Sequence, residues 1–206
     1  MKNGIIAIYL AAGKSSRMGE NKLSLPLSTC TIGSSALRTA LSSSLEHVLV
    51  VSKKADSLEW VDPSLFDSPY SRQWSHVVCD DAEKGQAHTL QRGLYAAMRR
   101  VNPKGIMVLL ADQPFLSKAT IDKVITTYIS ADKQDFVAAC YEGIARPPVI
   151  FSPRVLPKLM KLQGDVGARK IFKELEGMFV EFSEARDFYD IDTKKDYERV
   201  IGGEWR

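Results

Sequence analysis

Short apolar runs bounded by turn residues recur along this chain of 206 residues, and several do not alternate with polar residues. IMVLLA, residues 106–111, is apolar at every position. A strand with one face in water alternates, so a continuous run of this kind requires cover on both faces. Residues 4–10, 47–51, 75–79, 136–141 and 178–182 read as further strands. Between them, Ile121, Val124, Ile125 and Tyr128 recur with helical spacing behind Ser117, a natural N-cap. Leu90, Leu94, Ala97 and Met98 form a second stripe between Gly85 and Arg100; a third helix is expected over residues 35–45 and a fourth after Gly167. Strands alternating with helices predict an α/β sandwich around a mostly parallel sheet. Ligands on such sheets bind beyond the carboxyl ends of the strands. Residues 53–73, with Pro63 and Pro69 and no period, read as an irregular excursion. Length, the absence of a linker and the absence of an internal repeat predict one domain over residues 1–206.

Hydrophobic residues at 45% and charged residues at 26% exclude a disordered, fibrous or membrane-embedded chain. A formal charge of +3 is too small for a nucleic-acid or membrane surface, so neither partner is expected. Cys30, Cys79 and Cys140 lie far apart without metal or redox spacing, which fits a reducing, cytoplasmic setting. Lys2 followed by GIIAIYLAA imitates a secretory signal, but the apolar run is short and leads straight into GKSSR; a buried first strand explains it better.

The segment LAAGKSSRMGENK, residues 10–22, follows that first strand. A Walker loop would need Gly at position 8, which is Ile8, and the G-x-G-x-x-G fingerprint fails because Gly13 and Gly19 enclose only other residue types. Both familiar phosphate loops are excluded by spacing. Small residues at Ala11, Ala12 and Gly13 still allow close approach of backbone amides to an anion. Arg17 offers a planar fork and Lys22 a compact charge. The alternative is a solvated turn with ordinary surface charges. Asp112 should emerge at the end of the IMVLLA strand, as a cation ligand or as an Asx-turn residue before Gln113 and Pro114. In DIDT, alternation puts Asp190 and Asp192 on one side and Ile191 in the core, while Thr193 and Asp196 resemble a capping box. Gly85 opens a helix whose first amides can receive an anion or a base edge. His88, alone in a first helical turn, is given no role.

The pattern L-A-A-G-x-S-x-R-M-G-x-x-K resembles the signature loop of the MobA-like nucleotidyltransferases, which join a nucleoside monophosphate from a triphosphate to a second phosphorylated molecule. LLADQP (109–114), GDVGARKIF (164–172) and DIDTKKDYERV (190–200) extend the likeness, the last two toward molybdenum cofactor cytidylyltransferases and related accessory proteins of xanthine dehydrogenase. The resemblance implies a three-layer, Rossmann-like sandwich of the nucleotide-diphospho-sugar transferase type. It implies transfer of CMP from CTP to the terminal phosphate of a molybdopterin-type cofactor with Mg2+, for a xanthine dehydrogenase-type enzyme or its chaperone. By the same likeness Leu10, Ala11, Ala12, Gly13, Arg17, Lys22, Asp80 and Gly85 bind the nucleotide. Lys22, Arg17 and Asp112 carry the reaction, and Asp112 and Asp192 hold the metal. Asp165 and Arg169 face the second substrate, although Arg169 can equally pair with Asp165 to hold the loop. Ala12, where guanylyl-transferring relatives have a second Gly, points to CTP by resemblance alone. RPPVIF (146–151) departs from the family pattern by adding Arg146 and Pro147, and Thr89 stands where Ser is commoner. Transfer to a sugar or polyol phosphate, and a non-catalytic cofactor carrier, are the rival readings.

Overall fold

The computed structural model describes residues 4–100, 102–164 and 167–203. Seven strands form one sheet: β1 (Ile5–Leu10), β4 (His47–Lys53), β5 (Trp74–Cys79), β6 (Gly105–Leu110), β7 (Phe136–Tyr141), β8 (Ile144–Phe151) and β9 (Gly177–Phe182), in the order β5-β4-β1-β6-β8-β7-β9. Only β8 runs against its neighbours. A two-stranded ribbon, β2 (Pro26–Leu27) and β3 (Cys30–Thr31), stands apart.

Every residue of β1 is buried, as a central strand covered on both faces requires. Its residues divide by parity. Ile5, Ala7 and Tyr9 pack with α1 (Ile32–Ser42) and α3 (Lys118–Ser130) through Leu37, Ala40, Ile121 and Val124. Ile6, Ile8 and Leu10 pack on the opposite face with Leu90, Leu94 and Ala97 of α2 (Gln86–Met98). The two-residue period of a strand thus feeds two separate cores. Ser117 caps α3 by accepting from the Thr120 amide, as its position in the sequence predicts. The helix expected over residues 35–45 starts earlier, because Thr31 caps it by accepting from the Ser34 amide.

Two expectations change. RPPVIF is part of β8, a strand that its two prolines hide, since proline cannot donate to a ladder. The pairing with β7 steps from Ala138↔Val149 to Ala139↔Arg146, so Pro147 and Pro148 are looped out of register as a bulge. The helix expected after Gly167 is a 3-10 stretch, Ala168–Glu174, held by Phe172 stacked on Phe136 with centroids 4.3 Å apart. So short a segment leading straight into β9 stabilises an α-helix poorly. A short helix, α4 (Leu156–Leu159), precedes it, and α5 (Lys194–Ile201) closes the described chain. The excursion at 53–73 carries only 3-10 turns and is anchored by buried Trp60 and Leu65. Among the described residues, no helix is long and apolar enough to cross a membrane.

Candidate active site

The loop behind β1 folds back on itself. The Ala11 amide donates to Val51 O at 2.8 Å, which extends the strand pairing by one residue. Met18 is buried and its amide donates to Ser15 O at 2.9 Å, closing a turn. Ser15 Oγ then accepts from the Lys22 amide at 3.3 Å, and Asn21 caps the 3-10 turn Lys22–Ser24 by accepting from the Leu23 amide. These contacts return Lys22 to the end of the sheet, where it is 7% exposed.

A second segment arrives from the far end of the chain. The Ile191 amide donates to Asp112 O at 3.0 Å, laying residues 190–192 beside the end of β6. Ile191 is fully buried, so its two neighbours turn the other way, as the alternation in the sequence predicts. The capping box of α5 holds this segment: Asp196 Oδ2 accepts from the amides of Thr193 at 2.8 Å and Asp192 at 3.2 Å.

Lys22 is the meeting point. Its Nζ donates to Asp112 Oδ2 at 2.6 Å and to Asp192 Oδ1 at 2.9 Å, and Arg17 Nη2 donates to Asp192 Oδ2 at 3.2 Å. Burial alone would lower the Lys22 pKa, but the Asp112 and Asp192 carboxylates more than offset it and the ammonium is favoured. Burial likewise opposes ionisation of Asp192, and the hydrogen bond and charge of Lys22, with Arg17 behind them, hold its pKa below the ordinary carboxylate value. Asp190 is pushed up to about 6, first by burial and then by the Asp112 charge, although Gln113 Nε2 donates to its Oδ1 at 2.9 Å. Asp190 and Asp192, two residues apart, are therefore shifted in opposite directions by their surroundings.

A cleft of about 520 Å³ opens over this cluster. Leu10, Ala12, Gly13, Arg17, Lys22, Gly85, Asp112 and Asp192 line it. Two of the expected nucleotide residues do not. Ala11 is buried with its amide committed to Val51, and Asp80 lies on the surface paired with Lys54 at 3.3 Å. The wall near Asp80 comes instead from Ala82 to Gln86 and Thr89, with Gly85 at φ +118° where a side chain would be strained. Lys14, Ser15, Ser16 and Lys84 also line the cleft; Ser15 stands in the signature pattern, but the sequence assigned none of the four a role. A second cavity of similar size adjoins the first, sharing Leu10, Gln86 and Leu110, and is walled by Gln113, Arg146 and Asp190. His88 lines neither cavity. Asp165 and the side chain of Arg169 lie outside the described residues.

The donor set bears on the metal. Asp112 and Asp192 each place an oxygen within bonding distance of one common atom, Lys22 Nζ, which shows that the end of β6 and the segment before α5 can converge on a single cation. Among the described residues, no group of three or more His, Cys, Asp or Glu could hold a metal. A cation at Asp112 and Asp192 would complete its shell with ligand oxygens and water, which is how a hard divalent ion is usually bound beside phosphates.

Residues 7–178 match the MobA-like NTP transferase domain, most of the chain. The chain belongs to that family. It is a nucleotidyltransferase, and the cleft at the strand ends is the candidate site for its nucleotide. It is 41% identical over 200 residues to the purine catabolism protein PucB of Bacillus subtilis, covering 95% of each chain. Two relatives are equally distant at 25%: a probable molybdenum cofactor guanylyltransferase of Aquifex aeolicus, covering 93% of this chain and 88% of that one, and the molybdenum cofactor cytidylyltransferase of Escherichia coli, covering 95% and 94%. Among solved structures, the fold matches an Rv0371c homologue from Mycobacterium sp. strain JC1 with a TM-score of 0.81, 24% identity and 98% of both chains covered. It also matches the manganese complex of Rv0371c from Mycobacterium tuberculosis with a TM-score of 0.70, 22% identity and 96% and 98% covered.

Proposed function

We propose that this protein transfers CMP from CTP to the terminal phosphate of molybdopterin-type cofactor, releasing pyrophosphate, and that the cytosine dinucleotide product serves a xanthine dehydrogenase-type enzyme in the cytoplasm. The observation that carries the reading is the bridge of Lys22 between Asp112 and Asp192, at the strand ends and at the floor of an open cleft. The 41% identity to a purine catabolism protein supports the assignment to xanthine dehydrogenase maturation. Ala12 supports cytidylyl over guanylyl transfer, while the two relatives of opposite base preference are equally distant.

In the reaction, an oxygen of the acceptor phosphate attacks the α-phosphorus; a new P–O bond forms, the bond to the β-phosphate oxygen breaks, and pyrophosphate leaves with the electron pair. Two anions must be brought together, so the chain's task is positioning and neutralisation. Two of the three N–H donors of Lys22 are given to carboxylates, leaving one for an α-phosphate oxygen. Arg17, two-thirds exposed at the rim, has the reach and planar fork to grip the β and γ phosphates and the departing pyrophosphate. Asp112 and Asp192 would hold Mg2+, which when bound neutralises charge on the phosphates and polarises them. Asp165 and Arg169 remain the proposed contacts to the acceptor.

The test is pyrophosphate release with molybdopterin and each of CTP, GTP, ATP and UTP in turn. CTP is expected to be preferred at least about tenfold in kcat/KM, about 1.4 kcal/mol of discrimination. Equal use of all four removes the case for cytidylyl transfer, and no release with any of them leaves a carrier rather than an enzyme for this cofactor.

A further inference from the structure

Gln113 Oε1 and Arg146 Nε are buried without a hydrogen-bond partner among the described residues. Both residues wall the second cavity. Gln113 is 1% exposed and its Nε2 faces the Asp190 carboxyl, which fixes the amide orientation and leaves Oε1 over. Arg146 lies close enough for its charge to act on the same carboxyl. Its placement follows from the bulge in β8: with Pro147 and Pro148 looped out, Arg146 rather than Pro148 pairs with Ala139, and Arg146 joins the wall of this cavity. Buried polar atoms normally find partners, so an unmatched pair walling one cavity fits a ligand that supplies what both lack.

Their demands are opposite. Gln113 Oε1 needs an N–H, and Arg146 Nε needs an oxygen or a ring nitrogen lone pair. A phosphate satisfies Arg146 but turns its own lone pairs on Gln113. An amide-like edge of a flat ring supplies both. Most of the remaining wall agrees: Leu90, Pro147, Val149 and Phe172 are apolar and Lys170 is the one lysine among the described lining residues, whereas Lys14, Arg17, Lys22 and Lys84 crowd the first cavity. We propose that Gln113 and Arg146 are specificity residues of the acceptor subsite, reading the hydrogen-bonding edge of a flat heterocycle of the pterin type in the second cavity. The identity of the ring rests on the function proposed above; the need for a paired donor and acceptor rests on the cavity alone.

Neopterin, which has the ring and no phosphate, is the ring probe, and glycerol 3-phosphate is the phosphate probe. Neopterin binding is read from its own fluorescence and needs no turnover. Neopterin is expected to compete with molybdopterin but not with CTP. Gln113→Met and Arg146→Met should each weaken neopterin about tenfold, the cost of leaving a buried partner unmatched. Each should raise KM for molybdopterin by a similar factor, leaving KM for CTP within about twofold and glycerol 3-phosphate inhibition unchanged. Neopterin affinity indifferent to Arg146→Met overturns the proposal, as does loss confined to glycerol 3-phosphate. Arg146, the less buried of the two, carries the test if Gln113→Met does not fold. Binding of neopterin that depends on Arg146, without turnover of molybdopterin, sustains the ring subsite and removes the proposed transfer to molybdopterin. Turnover with neopterin indifferent to both variants does the reverse.

Discussion

Lys22 shows how a buried ammonium is tolerated. Its side chain is 9% exposed, and it is offset by carboxylates that reach it from residues 112 and 192. Removing Lys22 would leave Asp112 and Asp192 with only Arg17 beside them, a cost that solvent at the 38%-exposed Asp192 holds below about 3–5 kcal/mol, the cost in a fully buried pair. Lys22→Met is therefore expected to lower kcat by about 10²–10³-fold, the usual cost of deleting a group that neutralises charge developing in the transition state. Thermal melts run alongside the pyrophosphate assay separate lost chemistry from lost fold; a folded variant with undiminished kcat would take Lys22 out of the reaction. Lys22, Asp112 and Asp192 were readable beforehand because each is a charged residue beside a motif that locates a strand end or helix start. Gln113 and Arg146 were not readable as a pair. An uncharged amide carries no titration signal, and Arg146 reaches the cavity only through the bulge. Asp80 shows the converse, a carboxylate next to a strand end that the following turn leaves at the surface beside Lys54.

At the level of elements, a close fit joins α2 to the sheet. A Cβ on Gly93 would lie 2.5 Å from Ile8 Cγ2 and 3.1 Å from Val51 Cγ2, both in fully buried side chains. Alanine favours a helix over glycine by about 1 kcal/mol, but overpacking a dense core costs about 1–3 kcal/mol. The second effect wins here because the clash is with strand residues that have no free volume to enter. Gly93→Ala should lower stability by about 1 kcal/mol in urea denaturation, and a gain would mean that α2 does not sit this close. The same closeness sets Gln86 and Thr89, in the first turns of α2, against the candidate nucleotide cleft. The periodicity that announced α2 says which face is apolar. It does not say how near the helix comes, since that depends on the small residue at position 93 meeting Ile8.

Over the whole molecule, α1 and α3 share one face of the sheet and are tied at their ends. Asp122 accepts from the Ser44 amide at 2.9 Å and the Ser44 hydroxyl at 2.8 Å, and pairs with Lys118. Burial would raise its pKa, but the Lys118 and Ser44 hydrogen bonds prevail and lower it. A carboxylate lowered on folding contributes stability that is present above its ordinary value near 4 and is lost as pH falls through the lowered one. Asp122→Asn should cost about 1 kcal/mol at pH 7, with the difference from wild type shrinking as the pH falls through the lowered pKa of Asp122. A difference that persists below that pKa would assign the effect to packing. The sequence by itself determined the layered α/β class, the strands with continuous apolar runs and the charged groups of the cleft, because burial on two faces and charge at strand ends are written in local pattern. Only the tertiary structure decided the antiparallel β8, the pairing of Asp112 with Asp192 through Lys22, and the unmatched atoms of the second cavity. Each of those depends on which distant segments come to lie side by side, and no local period encodes that.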